Sequence, residues 1–166
     1  MKGFLVVPLD KTHDRKSFYC GVDSLDNYFH KQAGQDSRKR IAVTYILHDK
    51  NENKVAGYYT LSATAIELMA LPETVRKKLP SYPCLPATLI GRLAVDEVYK
   101  KRGLGELILI DAMKRAYHTS AEVASFAVVV DAINSSAEKF YKKYGFLDLS
   151  VSSHRLFLPM SIIAEL

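Results

Sequence analysis

Hydrophobic residues in the first half of the chain fall into stretches whose composition is typical of strands. The five mainly apolar residues at 4–8 predict a short first strand. The stretches 41–47 and 55–68 are rich in β-branched and aromatic residues and flank a short polar segment, which predicts a hairpin. Pro72 fits the first turn of a short helix that we expect to end before Pro80.

A helical pattern precedes that hairpin. Leu25 and Tyr28 lie on the same face of a predicted first helix. Asp23 or Ser24 is the expected cap, because both side chains accept hydrogen bonds from the free N–H groups of a first turn. A polar run at 34–40 follows the helix.

The second half alternates regularly between strand and helix patterns. The predicted strands are 88–95, 125–132, 146–151 and 155–160, and the predicted helices are 103–119 and 135–144. Nearly all of 125–132 is apolar, as in a strand buried on both faces. Ser135 and Glu138 have the spacing of a capping box, and Gly145 is placed to end that helix. The order predicts an α/β fold, with a mixed sheet covered by helices, in a single domain over residues 1–166.

Composition narrows the class of protein. The chain has 166 residues, of which 48% are hydrophobic, so it can build one ordinary core. No stretch is long and apolar enough to span a bilayer and no secretory signal is evident, so we expect a cytoplasmic protein without a membrane partner. Cys20 and Cys84 are expected to be reduced. The scattered histidines predict no metal site.

The basic residues are clustered. The net charge is +5, and cationic runs lie at 38–40, 76–78, 100–102 and 142–143. This pattern suits a polyanionic partner such as coenzyme A or RNA, although each run taken alone also fits a solvated surface.

The most informative stretch joins the strand ending at 95 to the next helix. Residues 100–106 read KKRGLGE, so three cations precede a turn with glycines at 103 and 105. A helix N-terminus after such a turn presents free backbone N–H groups to an anion. The alternative is a helix start without a ligand. A Walker loop is excluded because no Gly-Lys-Ser/Thr follows, and the dinucleotide motif is excluded by Ile108.

The stretch resembles the acetyl-CoA signature of the GNAT superfamily, with Lys100 where the family usually has Gln or Arg. A second motif follows in the order typical of the family, with Asn134, Ala137 and the run 140–146, FYKKYGF. The resemblance implies the GNAT acyl-CoA N-acyltransferase fold, which has a central, mostly antiparallel mixed sheet flanked by helices. It also implies that the protein is an N-acetyltransferase with acetyl-CoA as co-substrate and no metal.

The resemblance assigns roles to individual residues. The backbone of 93–95 is expected to align the pantetheine arm, and the N–H groups of 101–106 to hold the pyrophosphate. Asn134 is expected to contact the cofactor, and Tyr141 to donate a proton to the departing thiolate. The residues expected to bind the cofactor are Leu93, Ala94, Val95, Lys100, Lys101, Arg102, Gly103, Leu104, Gly105, Glu106, Asn134 and Ala137. A general base stays unassigned, with Glu67 as a weak candidate.

The N-terminal half resembles one branch of this superfamily. The residues that carry the likeness include 18–21 (FYCG), 57–62 (GYYTLS) and 91–96 (GRLAVD). That branch is the acetyltransferase toxins of bacterial toxin–antitoxin modules. The resemblance implies acetylation of the α-amine of aminoacyl-tRNA, a block of translation, a ribbon-helix-helix antitoxin as partner and a homodimer. On charge alone, the expected RNA-binding residues are Arg38, Lys39, Arg40, Arg76, Lys77, Arg92, Lys142 and Lys143.

Two other functions stay open at this point. One is a GNAT enzyme that acetylates a small-molecule amine or a protein N-terminus. The other is a non-catalytic module that binds acyl-CoA or acts as a corepressor for an antitoxin. The cationic run at 38–40 is equally compatible with an acidic antitoxin tail.

Overall fold

The computed structural model describes residues 2–149 and 154–166. The strands are β1 (Phe4–Pro8), β2 (Val43–Asp49), β3 (Lys54–Glu67), β4 (Cys84–Val95), β5 (Ala127–Asp131), β6 (Leu147–Asp148) and β7 (Arg155–Pro159). The α-helices are α1 (Asp23–Asn27), α2 (Ala33–Arg38), α3 (Glu73–Arg76), α4 (Leu104–Thr119), α5 (Ser135–Lys143) and α6 (Met160–Ile163). A π-helical turn at Tyr28–Gln32 joins α1 to α2, and 3₁₀ turns occupy Leu68–Ala70 and Glu97–Tyr99.

The strands form one sheet in the order β1-β2-β3-β4-β5-β7-β6. The β4–β5 pair is parallel, whereas β1–β2, β2–β3, β5–β7 and β6–β7 are antiparallel. The mixed, mostly antiparallel sheet confirms the predicted fold class. The chain divides into two compact regions, described below as the first region (Met1–Ser62 and Gly91–Ala112) and the second region (Ala63–Ile90 and Met113–Leu166).

The core of the first region is aromatic. The ring of Phe29 stacks on Tyr58 with centroids 4.5 Å apart, and Phe18 meets both rings edge-on at 4.9 and 5.4 Å. Such offset and edge-to-face pairs are the favoured arrangements of aromatic rings. They hold the segment that contains Phe18 and the helical segment against β3.

The first helix begins without the side-chain cap that was predicted. Its N-cap is Val22, which has no side chain that can cap, and Asp23 lies inside the first turn. The local carboxylate that accepts backbone N–H groups is instead Asp26, which bonds the N–H of Cys20 at 2.8 Å and that of Gly21 at 3.3 Å. The predicted side-chain cap is therefore absent, and Asp26 instead ties the helix to the loop before it.

The second region has an apolar core centred on β5. Ala127, Val128, Val129 and Val130 are all 0% exposed, which confirms a strand buried on both faces. This strand pairs in parallel with β4 from Ala87 to Ile90 and antiparallel with β7. The predicted closing strands are found as β6 and β7, both shorter than expected, and positions 150–151 of the first lie outside the described residues.

The N-cap of helix α5 differs from the predicted one. Asn134, one residue before the expected Ser135, is the N-cap, and its Oδ1 accepts from the N–H of Ala137 at 2.9 Å. Glu138 faces His154 at 3.0 Å instead of completing a capping box. Gly145 ends the helix as predicted, with φ at +95°.

Candidate active site

The end of strand β4 carries the backbone that the sequence analysis assigned to the cofactor. Within the first region, β4 approaches β3 so closely that a Cβ on Gly57 would lie 2.9 Å from the carbonyl oxygen of Ala94. Any larger residue at 57 would push the strands apart. Gly57 therefore fixes the position of the 93–95 backbone from the β3 side.

Asp96 anchors the loop that follows β4. Its Oδ1 accepts from the N–H of Val98 and its Oδ2 from the N–H of Tyr19, each at 2.9 Å. The N–H of Glu97 donates in turn to the carbonyl of Tyr19 at 2.9 Å. A buried carboxylate thus ties the loop to a segment 77 residues earlier in the chain. No sequence pattern predicted this role for Asp96, although an Asp side chain that accepts the N–H two residues later is a recognised turn signal.

The structure gives the side chain of Lys100 a partner within the protein. Its ammonium donates to the carbonyl oxygen of Cys20 at 2.7 Å and lies 3.3 Å from Glu97 Oε1. Gly21, with φ at +91°, leaves room for this arrangement, because a Cβ there would lie 2.7 Å from the same Glu97 oxygen. Lys100 therefore holds the loop in place from the side of residues 19–21.

The backbone then turns into helix α4 through left-handed conformations at Lys101 (φ +64°) and Gly103 (φ +75°). The N–H of Leu107 donates to the carbonyl oxygen of Gly103 at 3.2 Å. Residues 104–106 form the first helical turn, and the N–H groups of a first turn have no intrahelical partner. With the helix dipole behind them, these groups form a site suited to a phosphate.

Arg102 adds a fixed positive charge beside that turn. Its guanidinium carbon lies 5.2 Å from the centre of the Tyr99 ring, and the Tyr99 hydroxyl donates to Asp49 at 2.6 Å. This hydrogen bond lowers the pKa of Asp49, so the carboxylate stays charged at neutral pH. Tyr99, Asp49 and Arg102 line a cavity of about 600 Å³ within the first region.

The second region carries the other two predicted functional side chains, on and beside helix α5. Asn134 is exposed, and its Oδ1 is used by the cap, which leaves the amide Nδ2 to donate. Ala137, in the first turn, has no side chain beyond Cβ and its N–H is bonded to that cap. The two residues thus form one small unit at the start of the helix.

Tyr141 is only 6% exposed. Phe140 and Phe146 meet its ring edge-on with centroids 5.3 and 5.5 Å away. Burial, and to a smaller extent the charge of Asp131, raises the pKa of Tyr141 above its usual value. Its hydroxyl has no hydrogen-bond partner in residues 2–149 and 154–166. Tyr141 is therefore a neutral donor whose proton is not already committed to the protein.

The basic residues predicted to bind RNA differ in their surroundings. In the second region, Arg76 donates to the carbonyl of Leu71 at 3.2 Å and Lys142 pairs with Asp148 at 3.1 Å. Lys143 lies over the Tyr144 ring at 5.6 Å, and Lys77 is exposed. In the first region, Arg38, Lys39 and Arg40 are exposed at the end of α2.

Arg92 belongs to a cluster that the sequence analysis did not find. Its guanidinium carbon lies 3.5 Å above the centre of the Tyr28 ring, and the Tyr28 hydroxyl donates to Asp36 at 2.8 Å. Gln32 donates to the second oxygen of Asp36 at 2.9 Å. Burial and the bond to Asp36 raise the pKa of Tyr28 to about 12. The cluster fixes Arg92 in a stacked position directly before the 93–95 backbone.

Two further features concern the whole described chain. Among the described residues, no helix combines the length and apolarity that a bilayer crossing requires. Within those same residues, no three His, Cys, Asp or Glu side chains come together as a possible metal site.

Comparison with known proteins identifies the family. A family model described as "Acetyltransferase (GNAT) domain" matches residues 86–163. The chain is 30% identical to a tRNA-acetylating toxin of Mycobacterium tuberculosis over 133 residues, which cover 80% of this chain and 78% of that one. It is 28% identical to the probable toxin TacT of Sinorhizobium fredii over 98% of its own length and 94% of the relative's. The chain therefore belongs to the GNAT acetyltransferases, in the branch that contains these toxins.

Solved structures agree with this assignment. A tyrosine-to-phenylalanine mutant of KacT superimposes with a TM-score of 0.93 at 27% identity, over 99% of both chains. AtaT in complex with acetyl-methionyl-tRNAfMet gives a TM-score of 0.90 at 30% identity, over 98% of both chains. A mutant AtaT bound to the C-terminus of its antitoxin AtaR and to acetyl-CoA gives 0.83 at 26%, over 99% of this chain and 98% of that one. The protein is an N-acetyltransferase, and acetyl-CoA is its co-substrate.

Proposed function

We propose that this protein is a toxin that moves the acetyl group of acetyl-CoA to the α-amine of an aminoacyl-tRNA and thereby blocks translation. The observation that carries the proposal is the whole-length likeness to AtaT in complex with acetyl-methionyl-tRNAfMet. The 30% identity to a second tRNA-acetylating toxin supports it independently. An acetylated amine can no longer act as the nucleophile in peptide-bond formation, which is why such a modification stops translation.

The first region supplies the groups that would bind the cofactor. The N–H groups of 104–106, at the positive end of the α4 dipole, would hold the pyrophosphate. Lys101 and Arg102 add positive charge immediately before this turn. The backbone of 93–95, held in place by Gly57, would align the pantetheine arm. Lys100 contributes indirectly, by fixing the loop to Cys20.

Asn134 and Tyr141 would act from helix α5. The Nδ2 group of Asn134 would donate to the cofactor, while small Ala137 permits close approach in the first turn. Tyr141 would donate a hydrogen bond to the sulfur as the C–S bond breaks and the new C–N bond forms, while the proton lost by the amine passes through solvent to the departing thiolate. A thiol has a pKa of about 8.5, well below the raised pKa of Tyr141. The phenol therefore stabilises the departing thiolate chiefly as a donor and does not give up its proton fully.

No protein base is needed to activate the attacking amine. An α-amino group has a pKa of about 7.7 to 8.0, so an appreciable fraction of it is neutral at cytosolic pH. Glu67 is exposed at the end of β3, as expected of a solvated carboxylate. We assign it no role in the reaction.

An antitoxin is the partner we propose for regulation, since AtaT and KacT relatives are known with theirs. We propose that it carries a ribbon-helix-helix domain and that the toxin is a cytoplasmic homodimer. Co-expression with the neighbouring open reading frame tests whether an antitoxin forms a complex with the toxin. Size-exclusion chromatography with light scattering then gives the mass of the toxin alone and of the complex. A monomeric toxin would contradict the dimer, and a neighbour without a ribbon-helix-helix domain would contradict the antitoxin class.

The direct test uses labelled acetyl-CoA and total tRNA prepared in charged and deacylated forms. We expect label on the charged pool and none on the deacylated pool, and sequencing of the labelled tRNA identifies the accepted species. Label transferred to polyamines or peptides but not to charged tRNA would replace the proposal with a small-amine or N-terminal acetyltransferase. Coenzyme A binding without transfer to any amine would indicate a non-catalytic module.

A further inference from the structure

A small cleft in the first region brings together two arginines that are distant in sequence. It has a volume of about 170 Å³ and lies where the loop after β1 meets helix α2. The residues that line it are Leu9, Asp10, Lys11, Arg15, Gly34, Ser37 and Arg38. Neither the 93–106 backbone nor Tyr141 contributes to it.

Gly34 explains how the two guanidinium groups come together. A Cβ placed on Gly34 would lie 2.7 Å from Nη1 of Arg15 and 3.3 Å from Nη1 of Arg38. Both groups therefore reach the same point, and their Nη1 atoms are at most about 6 Å apart. Gly in the interior of a helix costs roughly 1 kcal/mol relative to Ala, so the missing side chain has to be explained. Here it provides the space in which the guanidinium of Arg15 lies.

The two cations have no anionic partner in the described parts of the chain. Neither guanidinium makes a hydrogen bond or an ion pair with any residue of 2–149 or 154–166. Asp10, the acidic residue that lines the cleft, accepts the N–H and hydroxyl of Thr12 at its Oδ1, at 2.7 and 2.6 Å, and forms no ion pair with either arginine. Like charges this close repel each other, and an anion between them removes that repulsion. The arrangement therefore favours an anionic ligand between the two guanidinium groups.

We propose that the cleft at Gly34 binds a backbone phosphate of RNA, with Arg15 and Arg38 as its two ligands. The proposal rests on the proposed function and adds a specific contact to the tRNA substrate. Arginine presents a planar set of donors that matches a phosphate group. Lys11, Lys39 and Arg40 are exposed nearby in the sequence, which suits a backbone that carries one charge per nucleotide.

Three variants test the cleft. Gly34→Ala keeps every charge and favours the helix, but its new methyl group displaces the Arg15 guanidinium. Arg15→Gln with Arg38→Gln removes both ligands. Lys50→Gln with Lys114→Gln is the control, since it removes the same charge from exposed positions elsewhere. The readouts are binding of deacylated total tRNA at several salt concentrations, KM and kcat for charged tRNA, acetyl-CoA affinity, and the urea midpoint of unfolding.

We expect the double arginine variant to bind tRNA about tenfold more weakly than the control, because hydrogen bonds to charged groups are among the stronger ones. The slope of its affinity against salt concentration, both on logarithmic scales, should become shallower by about 0.7 to 0.9 for each phosphate that it no longer binds. Gly34→Ala should weaken binding about threefold to tenfold, raise KM without lowering kcat, and unfold at the same or a higher urea concentration. Acetyl-CoA affinity should not change in either variant.

Two results would overturn the proposal. One is tRNA binding by Gly34→Ala equal to that of the wild type, with the double arginine variant no weaker than the control. The other is a loss of antitoxin affinity in both variants while tRNA binding stays intact, which would assign the cleft to an acidic peptide. If the wild type acetylates no charged tRNA but shows the expected differences in tRNA binding, the proposed function fails and the phosphate site stands.

Discussion

The first and second regions hold their functional groups in place by different means. Tyrosines aside, the buried polar side chains of the described residues all belong to the first region, namely Asp26, Asp36, Thr44, Asp49, Thr60 and Asp96. Each of the four carboxylates accepts hydrogen bonds from backbone N–H groups, a tyrosine hydroxyl or an amide. In the second region, β5 is enclosed by apolar residues, and the carboxylate that follows its core, Asp131, is exposed and paired with Arg155.

The difference matches what each region has to present. In the proposed function the turn at 100–106 offers free N–H groups to a phosphate. It is not paired in the sheet, and the buried carboxylate of Asp96 holds the preceding loop by hydrogen bonds instead. In the proposed reaction Tyr141 acts as a neutral donor, and burial among aromatic rings raises its pKa further above neutral pH. A polar framework therefore positions the proposed anion site, and an apolar one surrounds the proposed donor.

The largest expected effect tests the second region through Tyr141→Phe. The substitution keeps the ring and its packing but removes the donor, so we expect the acetyl-transfer rate to fall about 10²- to 10⁴-fold. Acetyl-CoA affinity and the urea midpoint should change little. Tyr117→Phe is the matched control, since Tyr117 is an exposed tyrosine of α4. Equal rates for the wild type and Tyr141→Phe would remove Tyr141 from the mechanism.

The next effect tests the polar framework through Asp96→Asn. An amide can still accept one hydrogen bond, but its NH₂ then faces the N–H of either Tyr19 or Val98. Losing one of these part-buried hydrogen bonds to a charged group should lower the free energy of unfolding by about 1.5–3 kcal/mol. We also expect weaker acetyl-CoA binding, because the 97–102 loop loses its anchor. Isothermal titration and urea unfolding measure the two effects, and a variant as stable as the wild type would show that the carboxylate is dispensable.

Acid should weaken the first region through Asp36. The hydrogen bonds from Gln32 and Tyr28 lower the pKa of Asp36 in the folded state. Its ionised form therefore stabilises the fold above the unfolded pKa of about 3.9, and this contribution is lost as the pH falls through the lower folded pKa. Asp36→Asn should reduce the difference in unfolding free energy between pH 7 and pH 3. An unchanged difference would mean that Asp36 does not contribute to acid sensitivity.

The smallest effect is expected for Asp131→Asn in the second region. Asp131 bonds Arg155 at 2.8 and 3.0 Å, but its carboxylate is exposed to solvent. Ion pairs of this kind contribute about 0.2–1 kcal/mol, so the urea midpoint should move less than in Asp96→Asn. If Asp131→Asn is the more destabilising of the two, the contrast between the regions is wrong.

The sequence was sufficient to predict features that depend on neighbouring residues. Helix α4 and the buried strand β5 follow from local periodicity and composition, and the turn at 100–106 follows from its glycines and cations. Helix α2 was not predicted, because residues 34–40 are polar and were interpreted as a segment that follows the first helix. The π-helical turn at Tyr28–Gln32 carries no comparable local signal.

Contacts between distant residues could not be predicted. Asp96 binds Tyr19, Lys100 binds Cys20 and Arg92 stacks on Tyr28, and each pair is separated by more than sixty positions. The approach of Arg15 to Arg38 likewise depends on how the loop after β1 crosses α2. One-dimensional patterns record which residues are apolar or charged. They do not record which loop will supply the partner.

The position of the acetyl group on the product decides whether this protein modifies aminoacyl-tRNA. Charged tRNA is incubated with the protein and acetyl-CoA, digested with a nuclease to aminoacyl-adenosine, and analysed by tandem mass spectrometry. We expect acetyl on the α-amine of the amino acid, formed by the wild type and strongly reduced in Tyr141→Phe. Acetyl on a base or ribose, or none on charged tRNA while another amine is acetylated, would contradict it.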